Sequence, residues 1–160
     1  MKNKYKKIID LTLVMVCRNS EILLGMKKRG FGKGKWNGFG GKVELEENIE
    51  NSAKRELLEE ASIGAKKIDK RGFIEFEFKD DYEILAVHIF KVDDFSGEPK
   101  ESEEMIPRWF DVEKIPFSEM WSDDFYWLPL LLKNKKFKGR FVFSKKENIL
   151  EKELREVDKI

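Results

Sequence analysis

The sequence lacks three features that mark other classes of protein. Its single cysteine, Cys17, excludes an internal disulfide framework and a cysteine-rich zinc site. Its 32 Lys+Arg and 31 Asp+Glu residues nearly cancel, which argues against a nucleic acid polymer or an anionic membrane as a partner. No apolar stretch approaches the ~18 residues of a membrane helix. The 13 Phe, 4 Trp and 3 Tyr residues exclude global disorder, and the length predicts one domain, residues 1–160.

The N-terminus begins with lysines ahead of an apolar run, as a signal peptide does. These lysines are Lys2, Lys4, Lys6 and Lys7. However, Asp10 and Thr12 interrupt the run, and charged Arg18 follows where a cleavage site needs small residues. We therefore expect a basic lead-in to a first strand. The expected location is the cytoplasm, with the nucleus or the mitochondria as alternatives.

Hydrophobic periodicity predicts several strands and only two helices. The strands are expected at residues 11–17, 21–26, 73–79, 84–92, 108–112 and 137–143. The first helix is expected at residues 48–61, with Asn48 as its N-cap. The second is expected at residues 122–136, and Pro129 must kink it or make it start later. The C-terminal tail fits a strand or a helix equally well. This pattern predicts an α+β fold, a mixed β-sheet packed between helices.

Residues 27–42 form the most unusual segment, KKRGFGKGKWNGFGGK, which holds six glycines. Glycine permits backbone geometry and close approach that other residues forbid. The interleaved Phe31, Trp36 and Phe39 argue against a flexible linker. A pair of tight turns is the plain alternative to a binding loop.

Three carboxylates on the first predicted helix lie three or four residues apart. Glu56, Glu59 and Glu60 therefore project from one side of the helix. Such like charges repel one another unless a cation lies among them, and a hard divalent ion such as Mg²⁺ prefers oxygen ligands. A solvent-exposed acidic face with ordinary Arg–Glu pairs is the alternative.

The spacing around these carboxylates resembles the signature of the Nudix hydrolases, G-x5-E-x7-R-E-U-x-E-E-x-G-U, where U is aliphatic. The matching residues are Gly41, Glu47, Arg55, Glu56, Leu57, Glu59, Glu60 and Ile63. Ser62 departs from the signature, because the family has glycine there. That position usually ends the helix in a left-handed conformation, so serine should cost roughly 1 kcal/mol of stability.

The resemblance implies the Nudix fold, an α/β/α sandwich, and Mg²⁺-dependent hydrolysis, with Mn²⁺ as a possible substitute. It implies that Glu56, Glu59, Glu60, Glu104 and the Gly40 carbonyl bind the metal. Arg55 would hold the carboxylates in place. These four residues of the signature helix, Arg55, Glu56, Glu59 and Glu60, are the candidate catalytic residues.

Further segments resemble the Nudix hydrolases that act on oxidised purine nucleoside triphosphates. They are LLGMKKRGFGKGKWNGFGGKVE, ESEEM and PFSEMWSDDFYWLPLLLKNKKFKG. The likeness implies a substrate site formed by Thr12, Lys27, Phe31, Asn37, Phe39, Gly40, Gly41, Lys42, Phe76, Met105, Trp121, Ser122, Asp123 and Asp124. It implies release of monophosphate and pyrophosphate, which removes damaged nucleotides from the pool. We expect a monomer that acts on a small nucleotide.

Asp123 and Asp124 suggest how one pocket reads two oxidised bases. Oxidised guanine gains an N7–H donor, and oxidised adenine gains an oxo acceptor. Two adjacent carboxyls in an aromatic pocket do not both ionise easily, so the pair can share a proton and both donate and accept. The alternative is that Ser122, Asp123 and Asp124 cap a helix N-terminus.

Other functions stay open at this point. The same chemistry could act on methylated purine triphosphates, diphosphoinositol polyphosphates or capped RNA. A non-catalytic Nudix-fold binding module would be expected to have lost metal carboxylates, yet Glu56, Glu59, Glu60 and Glu104 are all present.

Overall fold

The structure, a computed structural model, describes residues 5–160. Lys2 and Lys4 of the expected basic lead-in lie outside the described residues, and Lys7 begins the first strand. The strands are β1 (Lys7–Arg18), β2 (Glu21–Lys27), β3 (Trp36–Asn37), β4 (Gly64–Phe78), β5 (Glu83–Ser96), β6 (Met105–Asp111), β7 (Lys136–Phe143) and β8 (Ile149–Val157). The helices are α1 (Ile49–Ala61) and α2 (Asp124–Leu132), with a 3₁₀ turn at Phe117–Glu119. None of the described helices is long and apolar enough to cross a membrane.

The strands form one mixed sheet in the order β3-β2-β1-β5-β4-β7-β8, with β6 pairing with β2. The pairs β1–β5 and β4–β7 are parallel, and the others are antiparallel. On one face, Ala53 and Leu57 of α1 pack with Val14 of β1. On the other, Trp127 and Leu131 of α2 join a second buried cluster. The predicted mixed sheet between helices is therefore confirmed.

Helix α1 begins and ends where the sequence predicts. The Asn48 side chain accepts a hydrogen bond from the Asn51 N–H at 2.7 Å, which satisfies an otherwise free donor of the first turn. Ser62 follows the helix with φ 60° and ψ 28°, the left-handed conformation expected at this position.

Helix α2 is shorter than predicted at both ends. It begins at Asp124 rather than at residue 122, which agrees with the later start that Pro129 suggested. It ends at Leu132 rather than at residue 136, because Asn134 adopts a left-handed φ of 58° and β7 begins at Lys136. The Asp123 side chain makes no capping hydrogen bond. The capping alternative is therefore wrong for Asp123.

One strand is longer than predicted, and another forms where the sequence left the structure undecided. Strand β4 begins at Gly64, nine residues before its predicted start, and register shifts against β5 fall within residues 65–72. Such bulges break the period-two alternation by which the strand is recognised. The C-terminal tail is a strand, β8, which pairs antiparallel with β7.

Candidate active site

The glycine-rich segment lies against both the sheet and α1. Phe39 and Lys42 form isolated bridges with Val14 and Leu11 of β1. A Cβ atom on Gly40 would lie 1.8 Å from the Thr12 carbonyl oxygen, and one on Gly41 would lie 2.6 Å from Glu56 Oε1. Glycine is therefore required at both positions for the backbone to approach β1 and the carboxylates of α1 so closely.

Arg55 holds the acidic side chains around it. Its Nε and Nη2 donate to the two carboxylate oxygens of Glu47 at 2.7 and 3.0 Å. Its Nη1 lies 3.1 Å from Glu56 and 3.2 Å from Glu59. The hydrogen bonds from Arg55 lower the pKa of Glu47 to about 2. This guanidinium relieves the repulsion among carboxylates that the helix would otherwise carry.

Glu60 is the most deeply buried carboxylate of this group, at 5% exposure. Its Oε1 accepts a hydrogen bond from the Gly40 N–H at 2.7 Å. Burial raises the pKa of Glu60 to about 7, despite the opposing effect of that hydrogen bond. Burial also raises the pKa of Glu56, which Arg55 only partly offsets.

Glu104 approaches from the other side of the site. Its carboxylate accepts from Lys27 Nζ at 2.9 Å and from Arg29 Nε at 2.9 Å. These two hydrogen bonds, that from Lys27 above all, lower the pKa of Glu104. A cation that takes Glu104 as a ligand must therefore compete with Lys27 and Arg29.

These groups line one cavity of about 530 Å³, which we name the carboxylate cavity. Its lining comprises Lys27, Arg29, Gly40, Gly41, Glu56, Glu59, Glu60, Ser102, Glu103 and Glu104. The structure thus brings all five predicted metal-binding residues together. Within residues 5–160, however, no three acidic, histidine or cysteine side chains are already positioned to hold a metal ion.

The residues present nevertheless fit a divalent cation. Their donors are carboxylate oxygens, which suit hard ions. Burial raises the pKa of both Glu56 and Glu60, so a nearby positive charge would stabilise their ionised forms. The ion pairs of Glu59 with Arg55 and of Glu104 with Lys27 would have to rearrange to release their oxygens.

A cluster of aromatic side chains and two buried carboxyls lie near the start of α2. Phe31 stacks on Trp121 with ring centroids 5.1 Å apart, and Phe78 makes edge contacts with both. Asp123 and Asp124 are 3% and 2% exposed. We name Phe31, Trp121, Asp123 and Asp124 the base slot.

The two aspartates differ in their partners. Trp127 Nε1 donates to Asp123 Oδ2 at 2.7 Å, whereas Asp124 Oδ2 is buried without a hydrogen-bond partner in the described residues. Burial raises the pKa of Asp123 to about 6. Burial, together with the neighbouring charge of Asp123, raises the pKa of Asp124 further. Burial and the short distance between the two carboxyls therefore disfavour the state in which both are ionised.

Four other predicted substrate-site residues are buried or half-buried. Thr12 is buried, and its hydroxyl donates to the Gly41 carbonyl at 3.5 Å. Asn37 is half-buried, and its Oδ1 accepts from the Gly38 N–H at 2.8 Å. Phe39 is fully buried beside α1, so any contact with substrate falls to its main chain. Met105 is buried in the same cluster as Phe39.

Phe76, Lys42 and Ser122 are the other predicted residues. The Phe76 ring stacks on the Phe141 ring, with the two ring centroids 5.8 Å apart. Lys42 and Ser122 are exposed.

Phe78 and Lys35 also contact Trp121, but the sequence did not identify them as site residues. Phe78 is two residues from Phe76 and therefore lies on the same face of β4, and this period-two spacing is the signal that could identify it from the sequence. Lys35 Nζ lies 5.1 Å from the centre of the Trp121 ring, over the wall of the base slot. Its contact with Trp121 depends on tertiary structure alone.

Comparison with known proteins agrees with this architecture. Residues 9–131 match the NUDIX domain. The chain is 55% identical over 148 residues to the oxidized purine nucleoside triphosphate hydrolase of Danio rerio, covering 92% of this chain and 95% of that protein. It is also 55% identical to the Mus musculus protein of that name, covering 92% and 94%. The crystal structure of the MutT protein from Bacillus halodurans superimposes with a TM-score of 0.82 at 25% identity, covering 91% of this chain and 97% of that one. The chain therefore belongs to the NUDIX family.

Proposed function

We propose that this chain hydrolyses oxidised purine (deoxy)nucleoside triphosphates, such as 8-oxo-dGTP and 2-oxo-dATP, to the monophosphate and pyrophosphate. Two relatives that are 55% identical over most of the chain carry the name of that activity. Glu56, Glu59 and Glu60 line one cavity, and the base slot offers an aromatic wall beside two carboxyls. Such an enzyme removes damaged precursors before a polymerase can incorporate them.

One observation carries the choice of base. Asp123 and Asp124 are both buried, and Asp124 Oδ2 has no hydrogen-bond partner in the described residues. A buried carboxyl oxygen that lacks a hydrogen-bond partner is unfavourable, so a ligand that pairs with Asp124 Oδ2 gains an interaction that the protein does not supply. A pair that shares one proton can accept from the N7–H of 8-oxoguanine and donate to the oxo group of 2-oxoadenine.

The hydrolytic step is assigned to α1. Arg55 fixes Glu56 and Glu59 on one side of the carboxylate cavity, and the Gly40 N–H fixes Glu60 Oε1. A cation held among these carboxylates would stabilise the ionised form of Glu60, and an ionised carboxylate can take a proton from the attacking water. The water oxygen forms a bond to phosphorus as the bridging P–O bond between the α- and β-phosphates breaks, and the products are the monophosphate and pyrophosphate.

We propose Mg²⁺ as the cofactor, with Mn²⁺ able to replace it. Glu56, Glu59, Glu60, Glu104 and the Gly40 carbonyl would hold it. When bound, it would neutralise phosphate charge and lower the pKa of water. Chelation by EDTA should abolish turnover, and Mg²⁺ should restore it. Activity that persists through chelation would contradict the assignment.

We propose that a monomer acts on free nucleotides in the cytoplasm, with nuclear or mitochondrial pools as alternatives. One chain supplies both the carboxylate cavity and the base slot, so the site needs no residue from a second subunit. Sedimentation of the purified chain tests the monomer, and fractionation of the source cells tests the location.

A substrate panel with Mg²⁺ and product analysis tests the function. The panel contains 8-oxo-dGTP, 2-oxo-dATP, an N-methylated purine triphosphate, dGTP and a diphosphoinositol polyphosphate. We expect the two oxidised nucleotides to be turned over with much higher kcat/KM than dGTP. A preference for the methylated purine would favour the alternative substrate class. Equal turnover of dGTP and 8-oxo-dGTP would overturn the proposal.

Replacement of each aspartate tests the shared proton. In Asp123→Asn and Asp124→Asn, one group can no longer titrate, so the pH profile should change and the two oxidised substrates should lose activity unequally. Comparable losses for both substrates with unchanged pH profiles would count against proton sharing.

A further inference from the structure

Three consecutive basic residues at the end of β2 face three acidic residues that precede β6. The ion pairs are Lys27–Glu104 at 2.9 Å, Lys28–Glu101 at 2.7 Å, Arg29–Glu104 at 2.8 Å and Arg29–Glu103 at 3.5 Å. We name Lys27, Lys28 and Arg29 the basic triad. The Lys28 N–H also donates to the Glu104 carbonyl at 2.8 Å, which ties the two backbones together.

Members of the basic triad differ in where they lie. Lys27 and Arg29 line the carboxylate cavity, whereas Lys28 is not part of its lining. The Lys28 side chain instead contacts Glu101 and the Ser102 carbonyl, at 2.7 and 3.0 Å. Arg29 is the outer of the two cavity cations, because its side chain is 59% exposed and that of Lys27 is 25% exposed.

The charges in the carboxylate cavity are unfavourable for a triphosphate as they stand. Five carboxylates line it, and Lys27 and Arg29 are the only cationic side chains among its described lining residues. A divalent ion that engages the carboxylates of α1 leaves Lys27 and Arg29 as the protein's direct donors to phosphate oxygens. Arginine offers a planar fork of N–H donors that matches phosphate geometry.

Chain connectivity places Arg29 beside the base slot. Phe31 stacks on Trp121 and is only two residues away, so the Cα atoms of Arg29 and Phe31 are at most about 7 Å apart. A nucleotide whose base lies against Phe31 and Trp121 can therefore extend its phosphates towards Arg29.

Resting on the proposed function, we propose that Arg29 binds the terminal phosphates of the substrate, and that these phosphates replace Glu103 and Glu104 as its partners. In the nucleotide-free protein, the two glutamates hold the guanidinium at the cavity. Transfer of Arg29 to the phosphates also frees one interaction of Glu104. Arg29 is thereby a specificity residue that distinguishes a triphosphate from a monophosphate.

Calorimetric titration with pyrophosphate in the presence of Mg²⁺ tests this assignment. Arg29→Gln should weaken pyrophosphate binding about tenfold or more, which corresponds to one lost charge-assisted hydrogen bond. Lys28→Gln is the matched control, since it removes the same charge from the adjacent residue outside the cavity, and it should change the affinity less than twofold. Binding of the monophosphate product should be equal in both variants.

A further variant tests the exchange of partners. Glu103→Gln removes a competitor for Arg29 and should strengthen pyrophosphate binding by up to about threefold, a modest effect because the pair is exposed. Weaker binding in this variant would overturn the exchange. Equal losses of pyrophosphate affinity in Arg29→Gln and Lys28→Gln would show that only the net charge matters and would overturn the role of Arg29. The absence of measurable pyrophosphate binding by the unaltered chain would refute the phosphate site.

These outcomes are separate from those of the proposed function. Pyrophosphate carries no base, so the titration reports on Arg29 whichever purine the slot selects. A failure of base selection would appear in the substrate panel and leave the pyrophosphate result unchanged.

Discussion

Replacement of Asp123 by asparagine should stabilise the protein increasingly as the pH rises. Asp123 is 3% exposed, and burial raises its pKa to about 6. Below about pH 4 the carboxyl is protonated in both the folded and the unfolded chain, so it has no pH-linked cost. Between about pH 4 and 6 the unfolded chain ionises first, and the free energy of unfolding falls. Above about pH 6 the full cost is present.

The size of this effect follows from the pKa. Each tenfold change in proton binding is worth about 1.4 kcal/mol. A rise in pKa from an ordinary value near 4 to about 6 therefore corresponds to a cost on the order of 3 kcal/mol at neutral pH. Asparagine has nearly the same shape and does not ionise, and its Oδ1 can still accept from Trp127 Nε1.

The assay is urea unfolding at pH 4, 5, 6 and 7, followed by tryptophan fluorescence. The stability of Asp123→Asn minus that of the unaltered chain should rise by a few kcal/mol between pH 4 and pH 7. Asp94→Asn, at an exposed position of β5, is the control for the general effect of removing one negative charge. The same difference at every pH would refute the reasoning. A variant that is more stable but less active would indicate that the buried carboxyl is retained for substrate recognition.

Three further results are expected. Glu60→Gln should abolish turnover, because glutamine cannot take a proton from water. The variant should keep the fold, because the glutamine oxygen can still accept from the Gly40 N–H. Full activity with an unchanged melting temperature would remove Glu60 from the mechanism. Asn37→Ala should weaken the selection of oxidised over normal purines by ~1–3 kcal/mol, measured as the ratio of kcat/KM values, and an unchanged ratio would show that selection lies elsewhere. Ser62→Gly should raise the free energy of unfolding by roughly 0.5–1 kcal/mol, because Ser62 has φ 60°, whereas Ser62→Ala should not; equal effects in urea unfolding would contradict the strain at this position.

Local features of the fold could be predicted from sequence because their causes are local. Asn48 caps α1, and Ser62 ends it in the left-handed region, since both effects depend on neighbouring backbone groups. Features that depend on partners distant in the chain were harder to predict from the sequence. The start of β4 was missed because bulges against β5 hide its alternation, and the tail is a strand because β7 offers an edge with which it pairs.

The candidate site also combines features set by local spacing with features set by tertiary packing. The i, i+3 and i+4 spacing of Glu56, Glu59 and Glu60 follows from the helical repeat alone. The resemblance to the Nudix signature supplied their expected roles, and the wider likeness to hydrolases of oxidised purine nucleotides supplied those of Asp123 and Asp124. Sequence could not show that Phe78 contacts Trp121, or that Phe39 lies in the core, because these positions depend on how strands and loops pack.

The sequence by itself determined α1 and most of the strands, the one-sided carboxylates of α1 and the family. Tertiary structure alone decided the electrostatic state of the site. It buries Glu60 beside the Gly40 N–H, leaves Asp124 Oδ2 without a hydrogen-bond partner in the described residues and pairs Glu104 with Lys27 and Arg29. The physical reason is that desolvation and ion pairing depend on distances between groups remote in the chain, which no local pattern of residues encodes.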